Sequence, residues 1–307
     1  MKKRLLFIYN PQAGKSKIKN FLSGIIELFV KEDYEVVIYA TQGKRDAKKI
    51  ILDCFSREHY DRVICSGGDG TLNEVISGVM KSGKKIEIGY IPSGTTNDFA
   101  YNLNLPKNLP NAAKVAIYGE PFSCDVGSFN GAYFTYTAAF GLFTDTSYET
   151  PQVSKNTLGR LAYILEGIKR LPNWKSYQME ITCNDQVISD QFIYGMVANS
   201  ESVGGIKGLA GKDVILDDGL FEGIFIKMPQ NVMDFQGIIN DLLTGNLNGD
   251  HIYSFPVTDV VITSKELIPW AIDGEFGGEL QKVHIKVHKQ AITMIRNKGI
   301  NELLKNS

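Results

Sequence analysis

Long apolar runs are missing from this chain of 307 residues. A membrane-spanning helix takes about 20 predominantly apolar residues. The most apolar helical stretch, Phe21–Val30, contains Glu27 and is flanked by Lys19 and Lys31. Any membrane is therefore met from outside. Cysteine is scarce as well. Cys54, Cys65, Cys124 and Cys183 lie far apart and form no CxxC pair, which argues against zinc and redox motifs and fits a reduced, cytoplasmic compartment. No charge sign dominates: the formal net charge is −1, so there is no global basic field to hold nucleic acid or an anionic membrane. Neither the eight-residue P-loop pattern nor GxGxxG occurs, which disfavours two common nucleotide-binding classes. The N-terminal Met1–Tyr9 has the basic-then-apolar look of a signal peptide. Its apolar stretch, Leu5–Tyr9, ends after five residues at Asn10-Pro11, too short for an h-region, and reads as a buried strand.

What is present suits a folded protein. Apolar residues make up 43% and charged residues 22%, and the length suits two domains. Over the first 120 residues strand and helix signals alternate. Strands are expected at Leu5–Tyr9, Tyr34–Thr41, Arg62–Cys65 and Ile86–Ile91. Helices are expected through Ile18–Phe29, Asp46–Phe55 and Leu72–Met80, where apolar residues recur at helical spacing. Such β-loop-α units imply a mostly parallel sheet covered on both faces. Beyond about residue 121 the rhythm changes. Strands Phe122–Phe129 and Tyr133–Phe140 are joined by Asn130-Gly131, a two-residue hairpin signal. Further strands are expected at Tyr177–Cys183, Gln186–Ala198, Gly223–Lys227, Asp259–Thr263, His284–Val287 and Ala291–Arg296, with helices at Leu158–Leu171 and Val232–Leu243. The division expected is 1–124 and 125–296, with the tail 297–307 able to return to the first part.

Three loops of the first half should leave the C-terminal ends of strands, where open α/β sheets bind ligands. They are Asn10-Pro11-Gln12-Ala13-Gly14-Lys15, Gly67-Gly68-Asp69-Gly70-Thr71 and Pro92-Ser93-Gly94-Thr95-Thr96-Asn97-Asp98. In the second loop, glycines permit positive φ and a close approach to phosphate. Thr71 can cap the following helix, whose first amides favour an anion. Asp69 is not needed for such a turn. A carboxylate beside phosphates repels them unless magnesium or its water shell intervenes. The plainer reading of each loop alone is a Gly/Asp or Pro-Ser-Gly turn; three of them in register are harder to dismiss.

Together these loops resemble the diacylglycerol kinase catalytic-domain family, specifically its soluble bacterial lipid kinases. The family pattern of Asn-Pro-x-x-Gly, Gly-Gly-Asp-Gly-Thr and Pro-x-Gly-Thr-x-Asn-Asp loops occurs in order. Thr150-Pro151, Lys155, Leu158–Tyr163, Asp217-Asp218-Gly219-Leu220 and Asp273-Gly274-Glu275 resemble its later segments. The resemblance implies an N-terminal three-layer α/β nucleotide-binding domain followed by a β-rich sandwich domain for the lipid acceptor. It implies ATP and Mg2+ as cofactors and transfer of the γ-phosphate to a lipid hydroxyl, with diacylglycerol giving phosphatidic acid. On the same basis Asn10, Pro11, Gln12, Ala13, Gly14, Thr41, Gly68, Asp69, Gly70, Thr71, Leu72, Asn73, Glu74 and Thr95 would contact ATP. Gly67, Asn97 and Asp98 complete that set. Asp218, with the carbonyls of Ile215 and Leu220, would hold a structural magnesium. Glu275, supported by Asp273, would accept the proton, with Asp69 as a further catalytic residue. One departure bears on the ligand set: Gly211-Lys212 stands where family members often have Ala-Pro.

From the residues alone, either member of the Asp273/Glu275 pair could be the base, and the pair could equally be an Asp-Gly turn with a solvated Glu275. Asp217 and Asp218 cannot both aim at one ion from an extended strand, so one is a ligand and the other a turn or supporting residue. Lys15, Lys17 and Lys19 flank the first loop, and Lys15 is the member expected to meet phosphate. Arg160, Lys169, Arg170 and Lys175 flank the helix at Leu158–Leu171, which reads either as a lipid-facing amphipathic helix or as an ordinary surface helix. His59, His251, His284 and His288 share no ligand spacing. Peripheral membrane contact and a homodimer are the partner arrangements left open. Two competing functions stand beside lipid phosphorylation: an NAD kinase-like phosphotransferase, against which Pro92–Asp98 speaks, and a non-catalytic lipid- or nucleotide-binding regulator, against which the intact acidic motifs speak.

Overall fold

Strand β1 (Lys3–Tyr9) shows how the first half is layered. Its side chains alternate, so Leu6 and Ile8 enter one core while Leu5 and Phe7 enter another, all fully buried. A computed structural model describes residues 2–142, 175–184, 186–200, 202–203, 206–207 and 214–298. Around β1 stand β2 (Tyr34–Ala40), β3 (Arg62–Gly67) and β4 (Glu87–Pro92), all parallel. One face is covered by α1 (Leu22–Lys31) and α5 (Leu109–Tyr118), the other by α2 (Asp46–Arg57) and α3 (Asp69–Ser82). This is the expected three-layer α/β arrangement.

The first helix differs from its expectation. The periodic run Ile18–Phe29 is divided into a 3-10 helix, Ala13–Asn20, and α1, with a break at Phe21. Helix α5 and the short α4 (Asp98–Asn102) lie outside the expected elements.

The second half is antiparallel. It contains β5 (Glu120–Phe129), β6 (Ala132–Phe134), β7 (Thr137–Gly141), β8 (Tyr177–Cys183) and β9 (Gln186–Ala198). Among the described residues, the two-residue strands β10 (Ser202–Val203) and β11 (Ile206–Lys207) pair with each other, apart from the main sheet. Then come β12 (Phe221–Lys227), α6 (Val232–Thr244), β13 (Ile252–Val257), β14 (Asp259–Ile272) and β15 (Glu275–Arg296). The long strands β9 and β14 change neighbours along their length. Strand β8 pairs with their first parts and β7 with their last, which folds the sheet into a sandwich. Its interior holds Phe134, Phe140, Phe192, Phe225 and Trp270, all essentially buried. Each such side chain contributes about 1.5–3 kcal/mol by leaving water. Helix α6 covers the outer face through Phe235 and Ile238, with Ile238 set against Ile193, Met196 and Ile224.

The Asn130-Gly131 turn forms as expected, with φ of 47° and 83°. Four strand expectations need correction. Tyr133–Phe140 is divided at Thr135-Tyr136, because the amides there are drawn to a carboxylate described below. Asp259–Thr263 continues to Ile272. His284–Val287 and Ala291–Arg296 belong to one strand, carried through the polar His288–Gln290 by a register shift with Gln290 at φ 49°. The helix expected at Leu158–Leu171, the segment Thr150–Tyr163 and tail residues 299–307 lie outside the described residues. Within the tail, Asn297 donates its amide to the Leu103 carbonyl at 3.0 Å, on the first half.

Candidate active site

Because β1, β3 and β4 are parallel neighbours, their C-terminal loops emerge on one edge. The amide of Asn10 reaches the Ser66 carbonyl at 2.7 Å, and those of Ser93 and Gly94 reach the Gly67 carbonyl at 2.9 and 3.2 Å. Glycine is required by the closeness of the loops. A Cβ on Gly14, which has φ +45°, would stand 2.2 Å from the Ser93 carbonyl oxygen, and one on Gly94 would stand 2.5 Å from Cα of Gly68. The three expected loops are thus in mutual contact. Gly67 and Gly68 do not use positive φ, contrary to expectation: Gly68 is extended at φ −89°, and a Cβ on Gly67 would meet the Thr71 side chain at 2.5 Å. Asn97, at φ 55°, ties the third loop to itself through the amide and the carbonyl of Gly94, at 3.0 and 2.9 Å. Asn10 donates to Thr71 Oγ1 at 3.3 Å and accepts from the Gln12 amide at 2.9 Å, rounding the turn through Pro11 and Ala13. Thr41 joins the same edge, its amide on the Tyr9 carbonyl at 2.9 Å. Thr95 is exposed at the loop tip.

Helix α3 begins two residues before its expected cap. Gly68, not Thr71, is the N-cap, and no side chain caps it. Its first amides and positive dipole end therefore face the cleft, a ready place for phosphate. The carboxylate of Asp69 is turned toward α4 and accepts the amides of Asp98 and Phe99 at 3.1 and 3.4 Å. Burial pushes the Asp69 carboxyl up to about 6, against the pull of those amides, and the charges of Asp98 and Asp273 push the same way. Leu72 is fully buried in the core beneath the loop. Glu74 faces away from it, accepting the amides of Arg45 and Ala47 at 2.6 and 3.1 Å and so holding the start of α2. Gly70 lies where the two halves face each other: a Cβ there would be 3.5 Å from Glu275 Oε1.

From the second half, the β14–β15 turn carries Asp273 and Glu275 to the same cleft. Asp273 is buried, at φ 47°. Oδ1 accepts the amides of Tyr136 and Thr137, both at 3.0 Å. Oδ2 accepts the amide and hydroxyl of Thr135 at 2.8 and 2.9 Å, and the Asn73 amide group from α3. Burial raises its carboxyl above the ordinary range, and the donors oppose that rise. Glu275 is exposed, and among the described residues its Oε2 meets Lys44 Nζ, at 3.1 Å. Sequence reasoning missed Lys44, which lies 231 positions away in the chain.

Asp218 turns back on its own loop and accepts the Leu220 amide at 2.8 Å, and Ile215 is 53% exposed. The residue that anchors this loop is Asp125, which the sequence did not single out. It accepts the amides of Gly219 and Gln290, both at 2.6 Å, and donates its own to the Leu216 carbonyl at 2.7 Å. Burial raises its carboxyl, and the charges of Asp218 and Asp217 raise it further. Asp217 offers its carbonyl to Gln290 Nε2 at 3.1 Å. Among the described residues no three acidic, histidine or cysteine side chains are placed to hold a metal ion. The loop offers only oxygen donors in a negative setting, the chemistry of a hard divalent cation.

Two known families match successive parts of the chain. Residues 4–129 match the diacylglycerol kinase catalytic domain, and residues 145–296 the YegS C-terminal NAD kinase beta sandwich-like domain. The diacylglycerol kinase of Bacillus subtilis (strain 168) is 33% identical over 289 residues, covering 94% of this chain and 94% of its own. This chain belongs to the diacylglycerol kinase family. A second relative, the diacylglycerol kinase of Staphylococcus carnosus (strain TM300), is 35% identical over 299 residues, covering 94% of this chain and 95% of its own. A solved structure from Bacillus anthracis str. Sterne, assigned to the diacylglycerol kinases, superposes with a TM-score of 0.80 at 28% identity, covering 97% of each chain. As a member of this family the chain is a lipid kinase, transferring phosphate to a hydroxyl.

Proposed function

We propose that this lipid kinase transfers the γ-phosphate of ATP, with magnesium, to the hydroxyl of diacylglycerol, giving phosphatidic acid and ADP. The observation that carries the proposal is a meeting across the cleft. Three glycine loops and the uncapped start of α3 form one wall, and Glu275 projects from the other, within reach of Gly70. Asn10–Gly14, Thr41, Gly67–Thr71, Thr95 and Asn97 would hold the nucleotide. Magnesium would neutralise phosphate charge when bound. Asp69 at the start of α3 and Asp98 at the start of α4 would serve it in the cleft, and the 215–220 loop would hold a structural ion through Asp218 and the Ile215 and Leu220 carbonyls, braced by Asp125.

In this reading Glu275 takes the proton as the lipid oxygen forms its bond to the γ-phosphorus and the bond to the β-phosphate oxygen breaks. The exposure of Glu275, whose carboxylate keeps Oε1 toward Gly70 while Oε2 meets Lys44, supports that role. Asp273 has both oxygens occupied by five donors and serves to position the turn and Asn73. Phosphoryl transfer depends chiefly on positioning and charge, which is what such a cleft supplies. The chain would work from the cytoplasm, meeting the membrane transiently. No helix among the described residues is long and apolar enough to cross one.

Labelled ATP with magnesium, offered beside diacylglycerol, other hydroxylated lipids and NAD, tests the proposal. Label in diacylglycerol is expected. Label in NAD alone would sink it, and nucleotide binding without transfer to any acceptor would point to a regulator.

A further inference from the structure

The cleft gathers carboxylates from both halves. The Tyr136 phenol lies within their combined field: burial raises it, and the charges of Asp273, Asp69, Asp98 and Glu275 raise it further. A nucleotide adds more negative charge at the same place. Phosphoryl transfer is served by cationic side chains on the transferred group as well as by magnesium. Lys44 is placed for that service. Its ammonium lies 3.1 Å from Glu275 Oε2, while Oε1 of the same carboxylate faces the first turn of α3 at Gly70. Among the described residues this is the ion pair that joins the two halves, and every other pair stays within one of them.

The turn that carries Lys44 is braced on both sides. The Tyr9 carbonyl accepts the Thr41 amide at 2.9 Å, and Asp46 Oδ2 accepts the Gln42 amide at 2.8 Å. Arg45 takes a left-handed φ of 65°, and its amide is held by Glu74 at 2.6 Å. Glu74 belongs to α3, so the helix whose start favours phosphate also fixes the backbone from which the lysine springs. The Lys44 side chain itself is 86% exposed. A fixed base and an open arm suit lysine, whose ammonium is a compact charge with three donors on a flexible stem. An exposed ion pair is weak. A phosphate carries more charge than a carboxylate and can take the ammonium from Glu275 or share it.

We infer that Lys44 binds the γ-phosphate of the nucleotide, and that Glu275 holds its ammonium ready until the nucleotide arrives. The inference rests on the ATP-dependent reaction proposed above. It adds a phosphate ligand from outside the three glycine loops. It also accounts for the position of Glu74, which braces the turn that carries this ligand. With Lys44 turned to phosphate, Oε2 of Glu275 is released to accept the proton of the lipid hydroxyl.

The test titrates ATP and ADP, each with magnesium and without lipid, into native protein and into Lys44→Met and Lys44→Arg. ADP lacks the γ-phosphate, so the ratio of the two affinities reads the contact with it. In Lys44→Met the affinity for ATP is expected to fall about tenfold, and that for ADP to stay within about twofold of native. Turnover of diacylglycerol is expected to fall at least as far. Lys44→Arg is expected to keep most of the preference for ATP, because the charge is retained. An unchanged preference in Lys44→Met overturns the inference. So does an equal loss of both nucleotides, which would assign Lys44 to the shape of its turn. Slower turnover with both affinities as in native protein would make Lys44 a positioning partner of Glu275 alone, and overturns it as well. Diacylglycerol labelled by native protein, with the preference unchanged in Lys44→Met, removes the phosphate contact and leaves the proposed reaction standing. Label in NAD alone, with the preference lost in Lys44→Met, keeps the contact and sinks the proposed acceptor. Native protein that binds no ATP overturns both.

Discussion

Asp273 and Glu275 are two residues apart and chemically similar, yet their surroundings give them different work. Asp273 is buried with five donors on its two oxygens, whereas Glu275 is exposed and meets Lys44. Changing Asp273 to Asn turns one acceptor into a donor facing buried amides. A cost on the order of 3 kcal/mol is expected from the stranded groups, visible as a melting point about 6–12 °C lower. Glu275→Gln should leave the melting point nearly unchanged, since an exposed ion pair is worth about 0–1 kcal/mol. It should slow turnover by about 10²–10⁴-fold. Melting curves and rates measured side by side would reverse the two roles if the effects were exchanged. Asp69 makes a different prediction. Its carboxyl lies at about 6 in the fold against an ordinary 3.8. A raised carboxyl means that the folded chain holds a proton which the unfolded chain releases between those values. That stabilisation is complete below about pH 4 and is lost as pH rises through 6. At neutral pH the ionised, buried group costs about 3 kcal/mol. Asp69→Asn should therefore gain melting temperature over the native chain at about pH 8 and lose most of that gain at about pH 4.5, with turnover abolished at both. A gain independent of pH would contradict the burial effect.

The three loops are the elements that make the site, and glycine fixes how near they come. Gly14→Ala adds a methyl group 2.2 Å from a backbone oxygen at a left-handed φ, so the first loop must move off the third. A loss of nucleotide affinity of about tenfold or more is expected, read by titration with ATP. Gly43→Ala is the control, since nothing lies within 4 Å of its added Cβ. Equal effects at the two positions would mean that loop contact is irrelevant to binding. These loops were legible in the sequence because turn glycines, Asn and Asp act within a few residues of themselves. The donors on Asp273 were not legible, because Thr135, Tyr136 and Thr137 reach it only after the sheet has folded. Asp125 was hidden for the same reason: a lone acidic residue in a strand pattern carries no local sign of the loop it anchors. Glu74 shows the opposite hazard. It belongs to a well-marked motif, yet its carboxylate is occupied in holding α2. The polar His288–Gln290 read as a strand end because register shifts have no period, only a geometry.

At the scale of the whole molecule, β15 joins the two halves. Its first part pairs with β14 in the sandwich, and its last part pairs with β5 and, at Thr293 and Met294, with β4 of the parallel sheet. The sequence division at 124/125 therefore falls inside a two-stranded ribbon rather than in a linker. Ile292 and Met294 are buried in the core shared with α2 and α3, and Ile295 is buried against Val115 of α5. Three such side chains contribute about 5–9 kcal/mol together, which is comparable to the entire stability of an ordinary domain. The first half should consequently depend on the last strand of the chain. A protein ending at Gln290 is expected to lose amide-exchange protection throughout β1, β3 and β4, although none of those residues has been removed. In the full chain, β3 and β9 should lose protection together as urea rises, because the ribbon couples the halves into one cooperative unit. If the shortened chain kept β3 and β4 protected, the parallel sheet would be self-sufficient and β15 only an edge added to it. Loss of protection in β9 well before β3 in the full chain would separate the halves energetically, and the cleft between them could then open without unfolding either wall.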